Sequence, residues 1–564
     1  MDILVINLMR LGDLVQSTPV LRGLRARYPG ASITLLAMDL FEAAARLLPG
    51  VDRLLLFPGT ALAPVLDRQG WPAAVRQLAH WVKGHLGSRP DLAVNLTPTL
   101  MAGLLARLSG APQVRGLWLS DGRELATSPS WASYSLVASK ARQANPFNVA
   151  DLFVLSAGLR PDGAGLAMQV PTGPASAKTG GAFRVGLCPG ASRPERQWPP
   201  ENFARAARLL LGKVPCRFVI FGSAGERPLG EALLRLLPPG TGTLLAGETD
   251  LPGLAEQLAG LDLLLTNDTG PMHLAAAVGT RVVALFLASA RVQDTGPAGR
   301  GHALLEPHLP CHPCLTPCAR FSCHAVISPE AVAQVAGEIL TGLGTVPWDA
   351  SGPFAGVRLY HTHLDPEGYQ VALPALRRPL SRLDFWLWAH RLAWEEFLIG
   401  PPSPRLVEWL AALLQERYLP PAPGLNLPES MAALEELASL ARRGAETAAR
   451  LILRTSDAPR LTLAGALSTF AAVDQGLRRL AAAFPELAAP VAFFFQDQRL
   501  AVAQEVPALA RELSRAYRRL GHLAELCREA ATQLAPAGSS RSLGLAQGMQ
   551  ALSATAVRQS PEAR

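Results

Sequence analysis

The strongest constraint on the fold is an alternation of short apolar runs and helix-like segments that occurs twice along the chain. The predicted strands lie at 3–7, 33–37, 53–57, 91–95 and 113–117 in the first series, and near 184–188, 216–221, 243–246, 261–266 and 281–286 in the second, with helices at 17–28, 72–86 and 99–109. A segment rich in Gly, Pro, Ala and Ser, from Pro161 to Gly181, separates the two series and indicates an interdomain linker. Because strands that alternate with helices are typical of parallel βαβ units, the sequence predicts an α/β fold with two similar domains.

A strand-to-helix turn in the second series carries the clearest ligand-binding pattern. The apolar run 261–265 predicts a buried strand, and the turn Asn267–Pro271 leads into a helix. Backbone N–H groups at a helix start have no partner within the helix and attract phosphate. Thr269 adds a hydroxyl donor, and Gly270 lets the main chain approach a ligand closely. The alternative is an ordinary capped helix with Asp268 or Thr269 as its N-cap.

Two further loops follow predicted strands. Gly12 and Asp13 come after the first strand, at the carboxyl edge where open α/β sheets bind ligands. Arg196 follows the first strand of the second series and precedes a helix near Glu201, which predicts a cation beside the phosphate site. Taken alone, Asp13 is also a good N-cap for a helix over residues 14–28.

Together these motifs resemble those of the ADP-heptose:lipopolysaccharide heptosyltransferases, glycosyltransferase family 9. The resemblance covers roughly residues 1 to 345 and keeps the motifs in family order. It implies the GT-B fold, in which two Rossmann-like domains face each other across a cleft. The acceptor would lie on domain 1–160 and the nucleotide sugar on domain 182–345. The implied partners are a nucleotide-diphosphate sugar, with ADP-heptose favoured, and a glycolipid acceptor of the lipopolysaccharide core or another surface glycan.

The resemblance also implies roles for individual residues. Asp13 falls on the family's catalytic aspartate, which would deprotonate the acceptor hydroxyl in an inverting transfer. Arg196 falls on a basic position that is usually lysine, and its planar fork can hold two phosphate oxygens. The remaining implied donor-binding residues are Asp268, Thr269, Gly270, His273 and, as the nearest match to an acidic nucleoside contact, Glu226. This scheme requires no metal ion. Some members carry His-Thr-Leu-Pro where this chain has Gln16–Pro19, so the acceptor contacts can differ.

Two groups of residues raise the question of metal binding. The first is a dense cluster of cysteines, Cys311, Cys314, Cys318 and Cys323. Thiolates so close in sequence can hold zinc or an iron–sulfur cluster, but the spacing matches neither a zinc ribbon nor a ferredoxin, which favours a loop of reduced or disulfide-linked thiols. The second group is His361, His363 and Asp365, for which a turn or a strand pair is the favoured interpretation.

Composition limits the partners of the chain. Its 564 residues are enough for about three domains. A net charge of +8 indicates anionic ligands or an anionic membrane surface. Only four of the 53 basic residues are lysines and no dense basic stripe is present, which disfavours nucleic acid. The sequence shows neither a transmembrane run nor a signal peptide, so the expected location is cytoplasmic, with peripheral contact to the inner membrane left open.

The remainder of the chain, residues 346–534, is predicted to be a mainly helical extension of unknown role. Apolar-periodic segments near 382–399, 404–417, 429–454, 464–484 and 498–533 predict helices packed into a bundle. Its tryptophans Trp386, Trp388, Trp394 and Trp409 are interpreted as core or interface anchors. Residues 535–564 are predicted to be a disordered tail.

Two functions other than glycosyl transfer are compatible with a Rossmann-like fold: nucleotide-sugar binding or glycan assembly without catalysis, and dinucleotide-dependent oxidoreduction. A non-catalytic nucleotide-sugar-binding or glycan-assembly protein would not need to retain Asp13, Arg196 and Asp268 together. A dinucleotide-dependent oxidoreductase needs a Gly-x-Gly-x-x-Gly turn after the first strand, where this chain has Leu11-Gly12-Asp13-Leu14. The sequence therefore favours the transferase over both.

Overall fold

The computed structural model describes residues 1–86, 89–120, 125–170, 181–314, 318, 320–342, 348–421, 425–452, 463–500 and 506–535. The chain divides into two compact units, Met1–Arg378 and Pro379–Arg564. The part of the predicted linker at 171–180 and the predicted tail after Ala535 lie outside the described residues.

The first unit begins with a six-stranded sheet. Its strands are β1 (Asp2–Asn7), β2 (Ser32–Met38), β3 (Arg53–Phe57), β4 (Leu92–Asn95), β5 (Gln113–Leu119) and β6 (Leu125–Ser128). Its helices are α1 (Leu11–Val15), α2 (Thr18–Arg27), α3 (Glu42–Ala45), α4 (Gly59–Gln69), α5 (Trp71–His85), α6 (Leu100–Leu108), α7 (Ser130–Ala138) and α8 (Val149–Ser156). The strand order is β3-β2-β1-β4-β5-β6, with β6 antiparallel to β5 and the others parallel. This is the doubly wound order, whose ligand crevice lies at the carboxyl ends of the central strands.

The second half of this unit repeats the alternation of strands and helices around a second sheet. Its elements are β7 (Phe183–Cys188), α9 (Pro200–Leu211), β8 (Cys216–Ile220), α10 (Arg227–Leu236), β9 (Gly242–Leu244), α11 (Leu251–Ala259), β10 (Leu263–Asn267), α12 (Gly270–Ala277), β11 (Val282–Leu285), α13 (Val292–Thr295), β12 (Ala303–Pro307), α14 (Ser322–Val326), α15 (Pro329–Thr341), β13 (Trp348–Asp349), β14 (Val357–Leu364), β15 (Gln370–Pro374) and β16 (Leu376–Pro379). The sheet order is β15-β14-β12-β11-β10-β7-β8-β9, and β13 pairs with β16 outside this sheet.

Both sheets have a hydrophobic core on each face. In β1, Ile3 and Val5 belong to the core on one face, while Leu4 and Ile6 belong to the core on the other. In β10 the alternate residues are likewise divided between two cores. Strands with both faces buried appear in sequence as continuous apolar runs, which is why these strands could be predicted within a few residues. The predicted fold class, two Rossmann-like α/β domains followed by helices, is confirmed.

The boundary predicted at residue 345 is corrected to residue 378. The strands β14 and β15 continue the second sheet, because β14 pairs antiparallel with β12 and β15 pairs antiparallel with β14. The backbone N–H of Gln370 also donates a 2.8 Å hydrogen bond to Oδ2 of Asp151, in α8 of the first domain. The segment after residue 345 is therefore an integral part of the first unit.

The second unit is helical, as predicted. Its helices are α16 (Arg382–Leu398), α17 (Pro404–Arg417), α18 (Leu427–Ile452), α19 (Leu463–Ala483), α20 (Ala488–Leu500) and α21 (Val506–Leu534). The helix predicted over 498–533 corresponds to α21, whereas most of α20 was not predicted, and residues 501–505 between the two lie outside the described part. The long α21 packs against α16, α17, α18 and α20. Trp386, Trp388 and Trp394 are buried in this bundle, which confirms their interpretation as core residues.

None of the helices in the described part of the chain combines the length and the apolar character that crossing a bilayer requires.

Candidate active site

Asp13 lies in the short helix α1, directly after the carboxyl end of β1. The buried side chain of Asn7 shapes this loop, because its Nδ2 donates to the carbonyl of Asp13 at 3.1 Å and its Oδ1 accepts from the N–H of Met9 at 3.1 Å. Asp13 is inside α1 rather than at its N-cap, and α2 begins separately at Thr18. The N-cap alternative for Asp13 is therefore not what the structure shows.

The carboxyl group of Asp13 is half-buried, and its pKa is raised. Burial is the largest cause, since it disfavours the charged form, and the nearby charge of Asp268 acts in the same direction. The backbone N–H and the positive charge of Arg10 lower the pKa in part. A carboxylate with a raised pKa is a stronger base than an ordinary surface aspartate.

Asp268 follows β10, at the facing edge of the second sheet, and is buried. The guanidinium of Arg196 forms a salt bridge with Oδ2 of Asp268 and donates to the Asp268 carbonyl at 3.2 Å. The hydroxyl of Thr295 donates to the same carboxylate at 3.4 Å. Burial raises the pKa of Asp268, and the charge of Arg196 opposes this rise. Two of the predicted donor-binding residues are thus brought into direct contact.

The fully buried Asn267 joins the three segments that form this part of the site. Its Oδ1 accepts from the backbone N–H of Trp198 at 3.1 Å. Its Nδ2 donates to the carbonyls of Pro189 and Gly190, in the loop after β7, at 2.8 and 3.3 Å. No role for Asn267 was predicted, although a polar residue at the end of an apolar strand is a sequence signal for one.

The two domains touch where α1 meets α12. A Cβ atom at Gly270 would lie 3.0 Å from Cδ2 of Leu11, so glycine permits this approach. Thr269 is the N-cap of α12, but its side chain makes no capping hydrogen bond. In this first turn Pro271 has no N–H and the Met272 N–H donates to the Thr269 carbonyl at 3.0 Å, so the donors at the meeting point of the two domains are the Gly270 N–H and the Thr269 hydroxyl.

His273 is buried in α12 and packs against Gly12 across the same contact. Burial lowers the pKa of its imidazole to about 3, so the ring is neutral at physiological pH. In the described part of the chain its Nδ1 has no hydrogen-bond partner. His273 therefore fits a packing role between the domains better than a charged contact to phosphate.

Glu226 lies against the loop after β7, at the same sheet edge as Asp268. A Cβ atom at Gly190 would lie 2.0 Å from Oε1 of Glu226. Its Oε2 accepts from the N–H and the hydroxyl of Ser223 at 2.8 and 2.9 Å, which closes a capping box at the start of a short turn. One carboxylate oxygen thus has a structural partner within the loop.

An ion-pair network that the sequence did not predict links the two domains next to the site. Arg142, after α7 of the first domain, donates from Nε to Oδ2 of Asp294 in the second domain at 2.7 Å. Asn145 and Arg291 donate to Oδ1 of Asp294 at 3.0 and 2.9 Å. The charge of Arg142 also lowers the pKa of Asp268. Such a network can hold the cleft in one arrangement.

The four clustered cysteines are all free thiols, with Cys311 exposed and Cys323 buried. They are close enough to interact electrostatically, and together with burial the three neighbouring thiols raise the pKa of Cys314 to about 11. Among the described residues, which omit 315–317 and 319 of this loop, no three His, Cys, Asp or Glu side chains are arranged to hold a metal ion. The structure does not test the less favoured alternative, a structural zinc or iron–sulfur cluster at these cysteines.

The second candidate metal group is part of a strand and the turn after it, as favoured, because His361 and His363 lie in β14 and Asp365 follows it. Oδ1 of Asp365 accepts from the backbone N–H groups of Glu367 and Tyr369, both at 2.9 Å, and closes the turn between β14 and β15. Nδ1 of His363 lies 2.7 Å from the carbonyl of Leu364. These contacts occupy the carboxylate and one imidazole nitrogen locally.

Comparison with known proteins shows that this chain is similar in sequence to one family. Residues 84–324 match the sequence profile of glycosyltransferase family 9 (heptosyltransferase). Lipopolysaccharide heptosyltransferase 2 of Escherichia coli K12 is 28% identical over 307 residues, which are 51% of this chain and 82% of that protein. Its namesake in Salmonella typhimurium is 27% identical over 314 residues, with the same two shares.

A shorter sequence match and a match to a solved structure are also to proteins named heptosyltransferases. Lipooligosaccharide heptosyltransferase 2 of Haemophilus influenzae is 36% identical, but over 106 residues that are 18% of this chain and 30% of that protein. The solved structure of E. coli ADP-heptose lipopolysaccharide heptosyltransferase II aligns with 61% of this chain and all of its own at 23% identity, with a TM-score of 0.46. The sequence matches and the two Rossmann-like domains, which bring Asp13 close to Asp268, make the chain similar to the glycosyltransferases of family 9.

Proposed function

We propose that this chain transfers a heptose from ADP-heptose to a lipopolysaccharide core acceptor, with inversion at the anomeric carbon. The observation that carries the proposal is that the two sheets face each other with the edges formed by the carboxyl ends of their strands. Asp13 lies at one edge and the Arg196–Asp268 pair at the other, close enough for the charge of Asp268 to act on Asp13. The curated relatives named above are heptosyltransferases of lipopolysaccharide or lipooligosaccharide, which supports the choice of donor and acceptor.

On the acceptor side, Asp13 acts as the general base. In an inverting transfer the acceptor hydroxyl attacks from the face opposite the departing nucleotide, so it needs a carboxylate within hydrogen-bond reach. Half-burial raises the pKa of Asp13 and makes its carboxylate a better proton acceptor. The Asn7 hydrogen bond to the Asp13 carbonyl fixes the loop that carries it.

On the donor side, Arg196 and the first turn of α12 receive the diphosphate. The leaving diphosphate gains negative charge in the transition state, which favours a fixed guanidinium and free backbone N–H groups. Nε of Arg196 is buried and has no hydrogen-bond partner among the residues that the structure describes. A bound diphosphate would draw the guanidinium from Asp268, and the released carboxylate could then accept hydrogen bonds from the donor sugar.

The proposal is tested by incubating the purified chain with ADP-heptose and a lipopolysaccharide core glycolipid that lacks the terminal heptose. The expected result is one added heptose, detected by mass spectrometry, with an inverted anomeric configuration by NMR. ADP-glucose and UDP-N-acetylglucosamine serve as competing donors. Transfer from another donor only would reject the heptosyl assignment, and retained configuration would reject the role of Asp13. If neither transfer nor donor hydrolysis occurs, the non-catalytic alternative gains support.

A further inference from the structure

The helical hairpin formed by α4 and α5 has an unusual lack of buried residues. The helix α4 has none, and α5 has only Leu78. A helix on a globular domain normally buries an apolar stripe against the core. In this hairpin the large apolar side chains Leu66, Trp71 and Val75 are exposed instead, and Trp71 is 69% accessible. Leu62, Trp81 and Val82 pack against the core of the first sheet, whereas Leu66, Trp71 and Val75 form apolar surface that the described residues leave exposed.

The hairpin tip extends past the carboxyl edge of the first sheet. The ring of Trp81 in α5 packs edge-on against Phe57, the last residue of β3, with ring centroids 5.8 Å apart. At the other end of α5, His85 borders a cleft that also includes Asp2 at the amino end of β1. Because a helix rises about 1.5 Å per residue, Trp71 lies roughly 15 Å beyond Trp81 in the direction of the carboxyl edge.

Exposed apolar side chains from two other loops lie at the same edge. Leu40 follows β2 and is 64% accessible, and Leu100 begins the helix after β4 and is 63% accessible. Since β1 to β4 are parallel, these loops and the Asp13 loop after β1 share one edge of the sheet. We call this set the apolar edge; its members are Leu40, Leu66, Trp71, Val75, Leu100 and Met101.

The charge around the apolar edge indicates what it contacts. The described charged residues of the hairpin are three cations, Arg68, Arg76 and Lys83, and one carboxylate, Asp67, all exposed. Exposed tryptophan and leucine flanked by arginine and lysine are typical of helices that lie in a bilayer interface. Tryptophan prefers the headgroup level, and cations near it are attracted to anionic lipid.

We propose that the apolar edge inserts into the surface of an anionic lipid bilayer and so presents the Asp13 loop to an acceptor held in that bilayer. This inference rests on the proposed function, because it takes the acceptor to be a glycolipid. A second copy of the chain fits this surface less well, since a dimer at this edge would cover the approach to Asp13. Binding to the bilayer leaves that approach facing the glycolipid.

The first test measures binding of the full-length chain to vesicles of phosphatidylethanolamine and phosphatidylglycerol, by co-sedimentation. Wild-type protein should bind, and should not bind vesicles of phosphatidylcholine alone. Trp71→Ser and Leu66→Ser should each weaken binding by about tenfold, the factor expected when one large apolar side chain no longer enters an apolar phase. Arg68→Gln and Arg76→Gln should each weaken it by about fivefold.

Matched controls come from the second unit. Leu463 and Leu467 are 55% and 59% accessible, so Leu463→Ser and Leu467→Ser remove apolar side chains of similar exposure. These two variants should bind vesicles like wild type. Equal binding by wild type and the Trp71→Ser and Leu66→Ser variants would overturn the proposal. A dimer in solution that Trp71→Ser dissociates, without vesicle binding, would also overturn it and assign the edge to a second copy.

The second test distinguishes a role of the apolar edge in binding the bilayer from a role in the transfer reaction. Trp71→Ser should lower transfer to the core glycolipid in vesicles by about tenfold, and leave transfer to its deacylated, water-soluble form unchanged. An equal loss on both acceptors would overturn the proposal. If the chain transfers no heptose to either acceptor, the proposed function fails, while the vesicle-binding measurement still decides the role of the apolar edge.

Discussion

A Cβ atom at Gly12 would lie 2.8 Å from Cδ2 of the buried His273 imidazole, so a glycine is required where the two domains touch. Gly12 belongs to α1, next to Asp13, and His273 belongs to α12, which begins beside the Arg196–Asp268 pair. The closeness of the proposed base and the proposed donor site therefore depends on a missing side chain.

Gly12→Ala should hold the cleft open. The added methyl has no space against the buried imidazole, and a misplacement of about 1 Å can cost roughly 10²-fold in rate. We expect kcat/KM to fall by about that factor while the affinity for ADP, measured by calorimetry, changes little. Gly84→Ala, on α5 with no atom of a described residue within 4 Å of the added Cβ, is the control and should stay active. Normal activity of Gly12→Ala would mean that catalysis does not need this contact.

Asp13→Asn should remove the general base without changing the size of the side chain. General-base catalysis contributes roughly 10²–10⁴-fold, so kcat should fall by at least about 10²-fold with little change in donor affinity. Steady-state kinetics at saturating donor provides the measurement. A kcat like that of wild type would exclude Asp13 from the mechanism.

Arg10→Gln should shift the acid limb of the rate profile. The base must be deprotonated, so the rate falls as pH drops through the pKa of Asp13, which burial has already raised. The charge of Arg10 lowers that pKa, and its removal should raise the pKa further. The acid limb of kcat/KM should therefore move to higher pH, with little change on the alkaline side of the limb.

Arg10→Lys is the matched control for this pH shift. Both variants keep the backbone N–H, but only Arg10→Lys keeps the positive charge. Its profile should resemble that of wild type. An acid limb at the same pH in Arg10→Gln and Arg10→Lys would show that another group sets it.

Arg196→Ala should weaken binding of ADP by about tenfold or more, because charge-assisted hydrogen bonds contribute roughly 1.5–3 kcal/mol. It also leaves Asp268 buried without its cation, and such unpaired charges are strongly destabilising. We therefore expect a lower melting temperature as well. Calorimetry and thermal unfolding measure the two effects separately.

The double variant Arg196→Ala with Asp268→Asn is the control that separates binding from stability. Neutralising Asp268 should restore much of the melting temperature but not the affinity for ADP. Unchanged ADP affinity in Arg196→Ala would place the diphosphate elsewhere.

The parts of the site that could be predicted from sequence are those that follow strands. Asp268 directly follows an apolar run, and Asp13 lies six residues after the end of another, at Asn7. Parallel strands bring their carboxyl ends to one edge of a sheet, so these segments could be located without a structure. The contacts between the two domains could not be predicted from the sequence. The pairing of Arg142 with Asp294 joins residues 152 positions apart, and no local pattern in either segment indicates its partner.

The error at residue 345 has a similar cause. The strand β14 alternates buried and more exposed positions along most of its length, but two histidines and an arginine interrupt its apolar residues, and no strand was predicted there. Its partner β12 is more than 40 residues earlier in the chain, and the pairing of Leu305 with Leu359 depends on the whole sheet. Sheet order is set by packing and strand pairing, which a single-sequence pattern does not contain.

The last prediction concerns the independence of the first unit. A chain of residues 1–378 keeps both complete sheets and should stay soluble and bind ADP. A chain of residues 1–345 loses β14 and β15, which exposes the edge of β12. It also deprives Glu306 of the Tyr360 hydroxyl at 3.2 Å and Asp151 of the Gln370 N–H. We expect the shorter chain to aggregate, as judged by size-exclusion chromatography, and to bind no ADP by calorimetry. A soluble, ADP-binding 1–345 chain would show that the two added strands are dispensable, whereas aggregation of 1–378 would show that the first unit needs the helical one to fold.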